Sequence, residues 1–452
     1  MHDLRAIHSA IKREDFATAW RLGNLALNDD PDNPEVLYLV GAAARAGGQL
    51  GLAHIALSKA LAKEHKQPNL WMHYGATLHD LNRWEDAEKA FQQVVRMLPT
   101  DPMPPANISA TYVQRGMWRD AITWGDKALK LDPESHIAKV SIGFANLSLG
   151  RWNEGWKYAE SLYGGQVNVR FYNPPENREP AWDGTPGKTV VVQCDQGVGD
   201  IIMFAQCLPR LQKVCTEVIV ECAPRLVGLF KRNFPGVTTY GTIKDDAVDW
   251  LDKHTIEAST HISYLGRWFL KRDEDFERKP YIVPDPDLKT KWLDWLEQFP
   301  KPWTGIAWKG GVHQTQAHLR SMTLSQFEPL MKGSLFDLSY HDSTREVALW
   351  NINHRQQVIR PPIDVKDYDD TIAFISALDD VASVTTTVAH VCGALGKKAH
   401  ILVPEIAQWR YAYKFKEGTE MLWYPSDSVK LYRQKPGEKT WEHAIKRLAK
   451  DL

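Results

Sequence analysis

Trp84-Glu85-Asp86-Ala87 and Trp118-Arg119-Asp120-Ala121 stand 34 residues apart, and this spacing decides the reading of the first third of the 452-residue chain. Stepping by 34 from the alanine gives Ala19, Ala53, Ala87, Ala121 and Gly155. Seven residues further on runs a second series, Ala26, Ala60, Val94 and Ala128, and five beyond it lie Pro31, His65, Pro99 and Pro133. Twelve residues before the first series stand Ile7, Gly41, Gly75, Ser109 and Gly143. A fixed period of this length marks a solenoid of repeated supersecondary units. Paired helices approach closely only where small side chains sit at fixed depths. Proline closes the second helix because it lacks an N–H and clashes with the preceding turn. The four series predict an α-solenoid of five helical pairs over residues 1–165, with less regular first and last units serving as caps.

Trp71, Tyr74, Gly75, Ala87, Phe91 and Pro99 resemble the tetratricopeptide consensus at its own spacing. That resemblance implies a concave face that binds a protein or peptide, with His73, Asn107 and Asn146 as polar candidates on it. The other reading of such a stack is a spacer or dimerisation module, which makes a homo-oligomer an open expectation.

Composition narrows the function classes. Basic residues number 55 and acidic residues 56, a net charge of −1, which supplies no electrostatic reason for nucleic acid as a partner. The start, Met1-His2-Asp3-Leu4-Arg5, lacks the charged, apolar and small-residue regions of a secretory signal, and no apolar run approaches a membrane span. Cys194, Cys207, Cys215, Cys222 and Cys392 form an odd set without a CxxC pair, which predicts buried thiols in a reducing compartment, neither a disulfide frame nor a zinc site. The expected location is the cytoplasm.

Past the repeats the chain changes character. Residues 166–187 are turn-rich, with Tyr172-Asn173-Pro174-Pro175 and Trp182-Asp183-Gly184-Thr185-Pro186-Gly187, and read as a linker. Thr189–Cys194 is then a β-branched apolar run of the kind buried in a parallel sheet. It ends at Asp195-Gln196-Gly197-Val198-Gly199-Asp200, and Ile201, Ile202, Phe204, Ala205, Leu208 and Leu211 follow at helical spacing. A glycine turn between strand and helix aims backbone N–H groups at the carboxyl edge of the sheet, where open α/β sheets bind anions. By this local pattern Asp200 either caps the helix or faces the cleft. Strands are expected at 217–222, 261–265, 303–308, 335–340, 381–384 and 399–403, and helices at 224–234, 288–299, 371–378, 386–395 and 441–449. A second glycine turn, Lys309-Gly310-Gly311, ends the strand at 303–308, and the run His313, Gln314, Gln316 and His318 reads as a cleft loop without metal-ligand spacing. Two doubly wound lobes, 188–285 and 286–452, fit this order.

Gln196-Gly197-Val198-Gly199-Asp200-Ile201-Ile202-Met203-Phe204-Ala205 with Leu208-Pro209 resembles the opening of tetratricopeptide proteins that carry a family-9-like glycosyltransferase domain, relatives of the heptosyltransferases. Trp182-Asp183-Gly184 precedes it, and Trp308-Lys309-Gly310 with Arg320-Ser321 matches the second-lobe opening. Asp370-Thr371, Thr386-Thr387-Val388-Ala389-His390 with Gly393-Ala394-Leu395-Gly396, Trp409-Arg410, Trp423-Tyr424-Pro425 and Tyr432-Arg433-Gln434 match the later landmarks, so the resemblance covers nearly the whole chain. It implies a GT-B fold of two Rossmann-like lobes, with the nucleotide-sugar donor in the C-terminal lobe and the acceptor towards the N-terminal lobe. It implies metal-independent, inverting hexosyl or heptosyl transfer without a cofactor; the repeats, as peptide-binding modules, point to a protein acceptor, with a small-molecule or glycan acceptor as the other reading. By the same resemblance Asp200 is the catalytic base, Lys309, Gly310, Thr385, Thr386, Thr387 and His390 line the donor site, and Gln196, Gly197 and Gly199 line the acceptor cleft, while a satisfied core histidine stays open as the other reading of His390. One position departs: Thr385 replaces the family's aspartate and removes a charge. That departure favours the rival expectation, a non-catalytic scaffold with a degenerate transferase domain.

Overall fold

The structure is a computed structural model that describes residues 4–164, 172–242, 248–311, 317–412, 418–438 and 440–452. The chain divides into two compact units, Met1–Asn146 and Leu147–Leu452.

The first unit is helical: α1 (Leu4–Lys12), α2 (Phe16–Asp29), α3 (Pro34–Ala46), α4 (Leu50–Lys63), α5 (Pro68–Asp80), α6 (Trp84–Met97), α7 (Met103–Gln114), α8 (Trp118–Leu131) and α9 (His136–Ser148), whose last residues pass the division. Short connections pack each helix on the next. The repeat series explain the packing. Ala19, Ala53, Ala87, Ala121, Ala60, Val94 and Ala128 are wholly buried. A Cβ on Gly75 would stand 2.7 Å from Phe91 and one on Gly41 2.5 Å from Leu57, while Ser109 at the same depth donates to the Ala121 carbonyl at 2.6 Å. Every connection inside a pair turns on one left-handed residue, and these too keep the period: Glu14, Gly48, Asn82, Gly116 and Gly150. The polar candidates fare differently. Asn146 is buried and donates to the Ile142 carbonyl at 3.0 Å, and burial lowers the pKa of His73, whose ring meets Tyr38 edge-on at 5.2 Å. Asn107 is half-buried.

The second unit opens with α10 (Trp152–Trp156) and α11 (Ala159–Gly164). Its first sheet is built from β1 (Thr189–Cys194), α12 (Val198–Ala205), α13 (Leu208–Val214), β2 (Glu217–Cys222), α14 (Val227–Asn233), β3 (Thr238–Gly241), β4 (Ala258–His261) and α15 (Gly266–Phe269). The second is built from α16 (Pro286–Leu296), β5 (Trp303–Ala307), β6 (Ser334–Asp337), α17 (Thr344–Asn353), β7 (Val358–Ile359), α18 (Tyr368–Ala377), β8 (Asp380–Val384), α19 (Thr387–Leu395), β9 (Ala399–Val403), α20 (Trp409–Ala412), β10 (Val429–Arg433) and α21 (Glu442–Asp451). Strand orders are β3-β2-β1-β4 and β10-β9-β8-β5-β6-β7, and every ladder is parallel. Both are the doubly wound order in which the chain reverses direction after its first three strands. The switch points therefore lie between β1 and β4 and between β5 and β8, and ligands of such sheets bind outside the strands' carboxyl ends there. Among the described residues no helix is long and apolar enough to cross a membrane.

Four expectations are corrected. The strand expected at 261–265 is displaced: β4 ends at His261, whose imidazole accepts from the Ser263 amide at 3.2 Å and starts a tight 3₁₀ turn over Ile262–Leu265. The described part of the linker, 172–187, packs on the first sheet. Trp182 donates its amide to Ser259 at 2.8 Å and is buried against Trp268, and the buried Glu179 accepts from the Tyr172 and Asn173 amides. The helical unit ends inside α9, before the expected boundary at 165, because α10 turns its tryptophans into the second unit. Of the five free cysteines four are buried, but Cys215 is half-buried, and burial raises its thiol to about 11. Residues 165–171 and the expected loop residues His313, Gln314 and Gln316 lie outside the described residues.

Candidate functional site

The two switch points face one another through the first turns of α12 and α19. Gly199, buried in α12, makes the approach: a Cβ there would stand 3.1 Å from the His390 ring, 3.2 Å from Thr387 Oγ1 and 3.3 Å from Thr387 Cα. Gly199 is thus a packing glycine between the two sheets rather than an exposed wall of the cleft. Gly197 is the N-cap of α12 and is exposed, with open space where a side chain would be, and Gln196 beside it is half-buried.

Asp200 stands three residues past that cap, so it is in the first turn without being the cap. Its carboxylate is held in a two-point pair by Arg410 of α20, Nε to Oδ1 at 2.5 Å and Nη2 to Oδ2 at 2.7 Å, with the two side chains 12 % and 19 % exposed. Arg410 also reaches the Gln408 amide oxygen at 3.4 Å. A second guanidinium, Arg320, meets the same Gln408 oxygen and the Thr385 carbonyl, each at 3.3 Å. Burial lowers the pKa of Arg320, and the Arg410 charge acts in the same direction. Gly311 makes room for it: its backbone is left-handed, at φ +79°, and a Cβ there would fall 2.1 Å from Arg320 Nη2.

The residues expected on the donor side have these partners. Lys309 is paired with Glu346 at 2.5 Å. Burial works against the Glu346 charge, but Lys309 and the Leu324 amide outweigh it and hold the carboxyl below its usual pKa. The Gly310 and Gly311 amides donate to Ser321 Oγ at 3.2 Å and Tyr340 Oη at 3.1 Å. Thr385 is buried and contributes its carbonyl to Arg320. Thr386 caps α19, its hydroxyl accepting from the Val388 amide at 3.2 Å, and Thr387 opens the helix against Gly199.

His390, one turn further, is 4 % exposed, and its ring lies between two hydroxyls, Tyr424 at Nδ1 (2.7 Å) and Tyr411 at Nε2 (3.0 Å). A neutral imidazole offers one donor and one acceptor, so one tyrosine donates to it and the other accepts. Burial lowers its pKa to about 3; Asp200 opposes the shift, and Arg410 and Arg320 reinforce it. The structure thus gives His390 a bracing position between two tyrosines instead of an open face towards a ligand.

An aromatic cluster fixes this geometry. Trp156 meets Phe204 of α12 at 5.9 Å and Trp409 at 5.6 Å, and Trp423 packs on Trp152, Phe204 and Trp409. Trp152 donates to Asp273 at 2.7 Å and Trp156 to the Leu270 carbonyl at 2.6 Å, so both buried indoles are satisfied. Arg410 lies over the Trp409 ring at 4.9 Å, which seats its stem beside Asp200. At the first switch point Asp195 accepts from His261 at 2.6 Å, and the other ring nitrogen meets Ser263 Oγ at 2.6 Å. Arg320, Gln408, Arg410, Tyr411 and Tyr424 received no role from the sequence. Arg320, Arg410 and Tyr424 lie inside matched landmarks, Arg320-Ser321, Trp409-Arg410 and Trp423-Tyr424-Pro425, and that is their only signal in the sequence. Among the described residues no group of three or more His, Cys, Asp or Glu side chains could hold a metal ion.

No protein-family model matches the chain. The protein FlbA of Caulobacter vibrioides is similar to it, 26% identical over 449 residues, which covers 93% of this chain and 73% of FlbA. Among solved structures, MamA of Desulfovibrio magneticus RS-1 is 21% identical and covers 36% of this chain and 94% of its own, with a TM-score of 0.32. PilF of Pseudomonas aeruginosa is 16% identical over 36% of this chain and 75% of its own, with a TM-score of 0.33.

Proposed function

We propose that the chain is a glycosyltransferase of GT-B architecture that moves a sugar from a nucleotide-sugar donor to an acceptor recruited by the tetratricopeptide stack. The observation that carries this reading is the position of Asp200, in the first turn of α12 at one switch point and next to Gly199, which packs against the threonine-capped start of α19 at the other. Two parallel sheets in doubly wound order, opposed at their carboxyl edges, suit a donor on one side and an acceptor on the other.

The chemistry follows from the placement. The Asp200 carboxylate takes the proton of the acceptor hydroxyl as its oxygen bonds to the anomeric carbon, and the bond from that carbon to the diphosphate oxygen breaks. The nucleoside diphosphate leaves with the electron pair. N–H donors and hydroxyls at the start of α19 lie on the side where that charge develops. His390 holds Tyr411 and Tyr424 in place and, being neutral, adds no charge. The acceptor class, a protein, rests on the repeats, since stacks of this kind present peptide-binding faces.

The two-point pairing of Asp200 with Arg410 favours a second reading, a scaffold in which the pair is permanent and the site silent. Incubation of the full chain with a panel of nucleotide sugars, read by mass spectrometry, separates the two. The transferase reading expects transfer or donor hydrolysis with one of them, and Asp200→Asn expects a loss of ~10²–10⁴-fold in that rate with the melting temperature retained. No turnover with any donor, and no thermal stabilisation by any nucleoside diphosphate, would establish the scaffold.

A further inference from the structure

A guanidinium fork takes one lone pair from each carboxylate oxygen and covers the edge of the carboxylate that it grips. For Asp200 to present that edge to an acceptor hydroxyl, Arg410 has to let go. Lys309, the cation expected at this edge, is engaged by Glu346; among the described residues Arg410 pairs with Asp200, and Arg320 reaches the Thr385 carbonyl just ahead of α19. The two differ in how they are held. Arg320 sits in the space that Gly311 leaves by lacking a side chain, tied to the Thr385 carbonyl. Arg410 rests on the flat face of Trp409, and its head group is the shared element, bonded to Asp200 across the cleft and to the Gln408 oxygen that Arg320 also uses. Planar guanidinium forks match phosphate oxygens as well as carboxylates, and a dianionic diphosphate between two of them is a stronger ligand than one carboxylate.

We propose that Arg320 and Arg410 form a diphosphate site in which Arg410 is exchanged: it clamps Asp200 when the site is empty and turns to the diphosphate when donor arrives, so that donor binding unmasks the Asp200 carboxylate. The anion site stands on the arginine geometry alone, and the unmasking rests on the reading of Asp200 as the base. Exchange makes Asp200 and diphosphate competitors for one side chain, and such coupling is reciprocal and measurable.

The test is calorimetric titration of the full chain with inorganic pyrophosphate, in the wild type, Asp200→Asn, Arg410→Gln and the double variant. Removing the competing charge in Asp200→Asn is expected to tighten pyrophosphate binding about 10-fold, and Arg410→Gln to weaken it by about 10-fold or more. In the Arg410→Gln background the Asp200→Asn gain is expected to vanish, because the side chain competed for is gone. Arg410→Lys, which keeps the charge and loses the fork, is expected between wild type and Arg410→Gln, and it carries the comparison if Arg410→Gln does not fold. Equal affinity in wild type and Asp200→Asn overturns the exchange, as does a gain that persists without Arg410, which would be a general charge effect. Sugar transfer by the wild type with either of those results leaves the transferase reading standing and removes only the exchange. Binding of neither pyrophosphate nor nucleotide sugar by any variant overturns both.

Discussion

His390 should make the second unit sensitive to mild acid. The ring is closed between Tyr411 and Tyr424 at 3.0 and 2.7 Å, with Arg410 and Arg320 near it and Asp200 the opposing charge, and its pKa lies at about 3 against an ordinary 6.5. The sign follows from proton binding in the two states. Between pH 6.5 and about 3 the unfolded chain holds a proton on this imidazole that the folded chain refuses, so stability is full above pH 6.5 and falls as pH drops. The slope approaches ~1.4 kcal/mol per pH unit, so by pH 5 the loss is about 2 kcal/mol. The reference is His390→Gln, whose amide keeps a donor and an acceptor for the tyrosines but does not titrate. The assay is urea unfolding at pH 7.5 and pH 5, following the tryptophan emission of the second unit. The variant is expected to be less stable at pH 7.5, and to lose about 2 kcal/mol less than wild type on going to pH 5. An equal loss in both proteins would refute the placement of a neutral, enclosed imidazole beside Asp200.

Two further predictions concern stability. Arg232 of α14 pairs with the buried Asp369 of α18, Nη1 to Oδ2 at 3.0 Å, so Arg232→Met should cost ~3 kcal/mol by chemical denaturation, and adding Asp369→Leu should restore most of it, because a lone buried charge is worse than none. In the first unit Gly48→Ala should destabilise by about 1 kcal/mol and Gly51→Ala should be neutral or stabilising, although both added methyl groups meet open space: Gly48 is left-handed at φ +77° and Gly51 is in the first turn of α4, a contrast that thermal unfolding of the two variants resolves.

What the sequence displayed, it displayed through periods. The 34-residue repeat and the apolar run of β1 are local regularities, and both survive in the structure as buried alanines and as a strand whose Val190, Val191 and Val192 are fully buried. The short edge strand β7, two residues long, has no period to detect, and β10 interrupts its apolar residues with the exposed Lys430 and the half-buried Arg433. At 258–265 the apolar signal misled: the strand is the small and polar Ala258–His261, buried by its neighbours, while the apolar residues that follow belong to a turn fixed by one imidazole. The site divides in the same way. Gly199, Asp200, Thr386 and His390 lie in local motifs and come together. Arg410 reaches Asp200 from 210 residues away, a distance along the chain that no spacing encodes. The same limit applies to His390: its presence was legible, but the two tyrosines that decide its protonation are 21 and 34 residues off.

The repeat period also explains why the helical stack cannot be cut where its pattern ends. Stepping 34 residues from Trp84 and Trp118 lands on Trp152, so this residue belongs to the series by position. Its environment is different. Trp84 and Trp118 are partly exposed helix starts, whereas Trp152 is fully buried, packed on Phe276 at 5.0 Å and on Trp423 at 6.1 Å. Trp156, four residues on, touches Trp409, and Trp409 carries the Arg410 that holds Asp200. Each aromatic pair in this cluster contributes ~0.5–1.5 kcal/mol beyond its buried area. The last repeat helix has thus been taken over as the support of α20. Removing residues 1–165 would strip Trp152 and Trp156 from beneath Trp409, and any lost activity would then report on Arg410 and not on acceptor recruitment. A cut after Asn146 leaves the cluster whole, so that boundary is the one at which the role of the repeats can be tested by deletion.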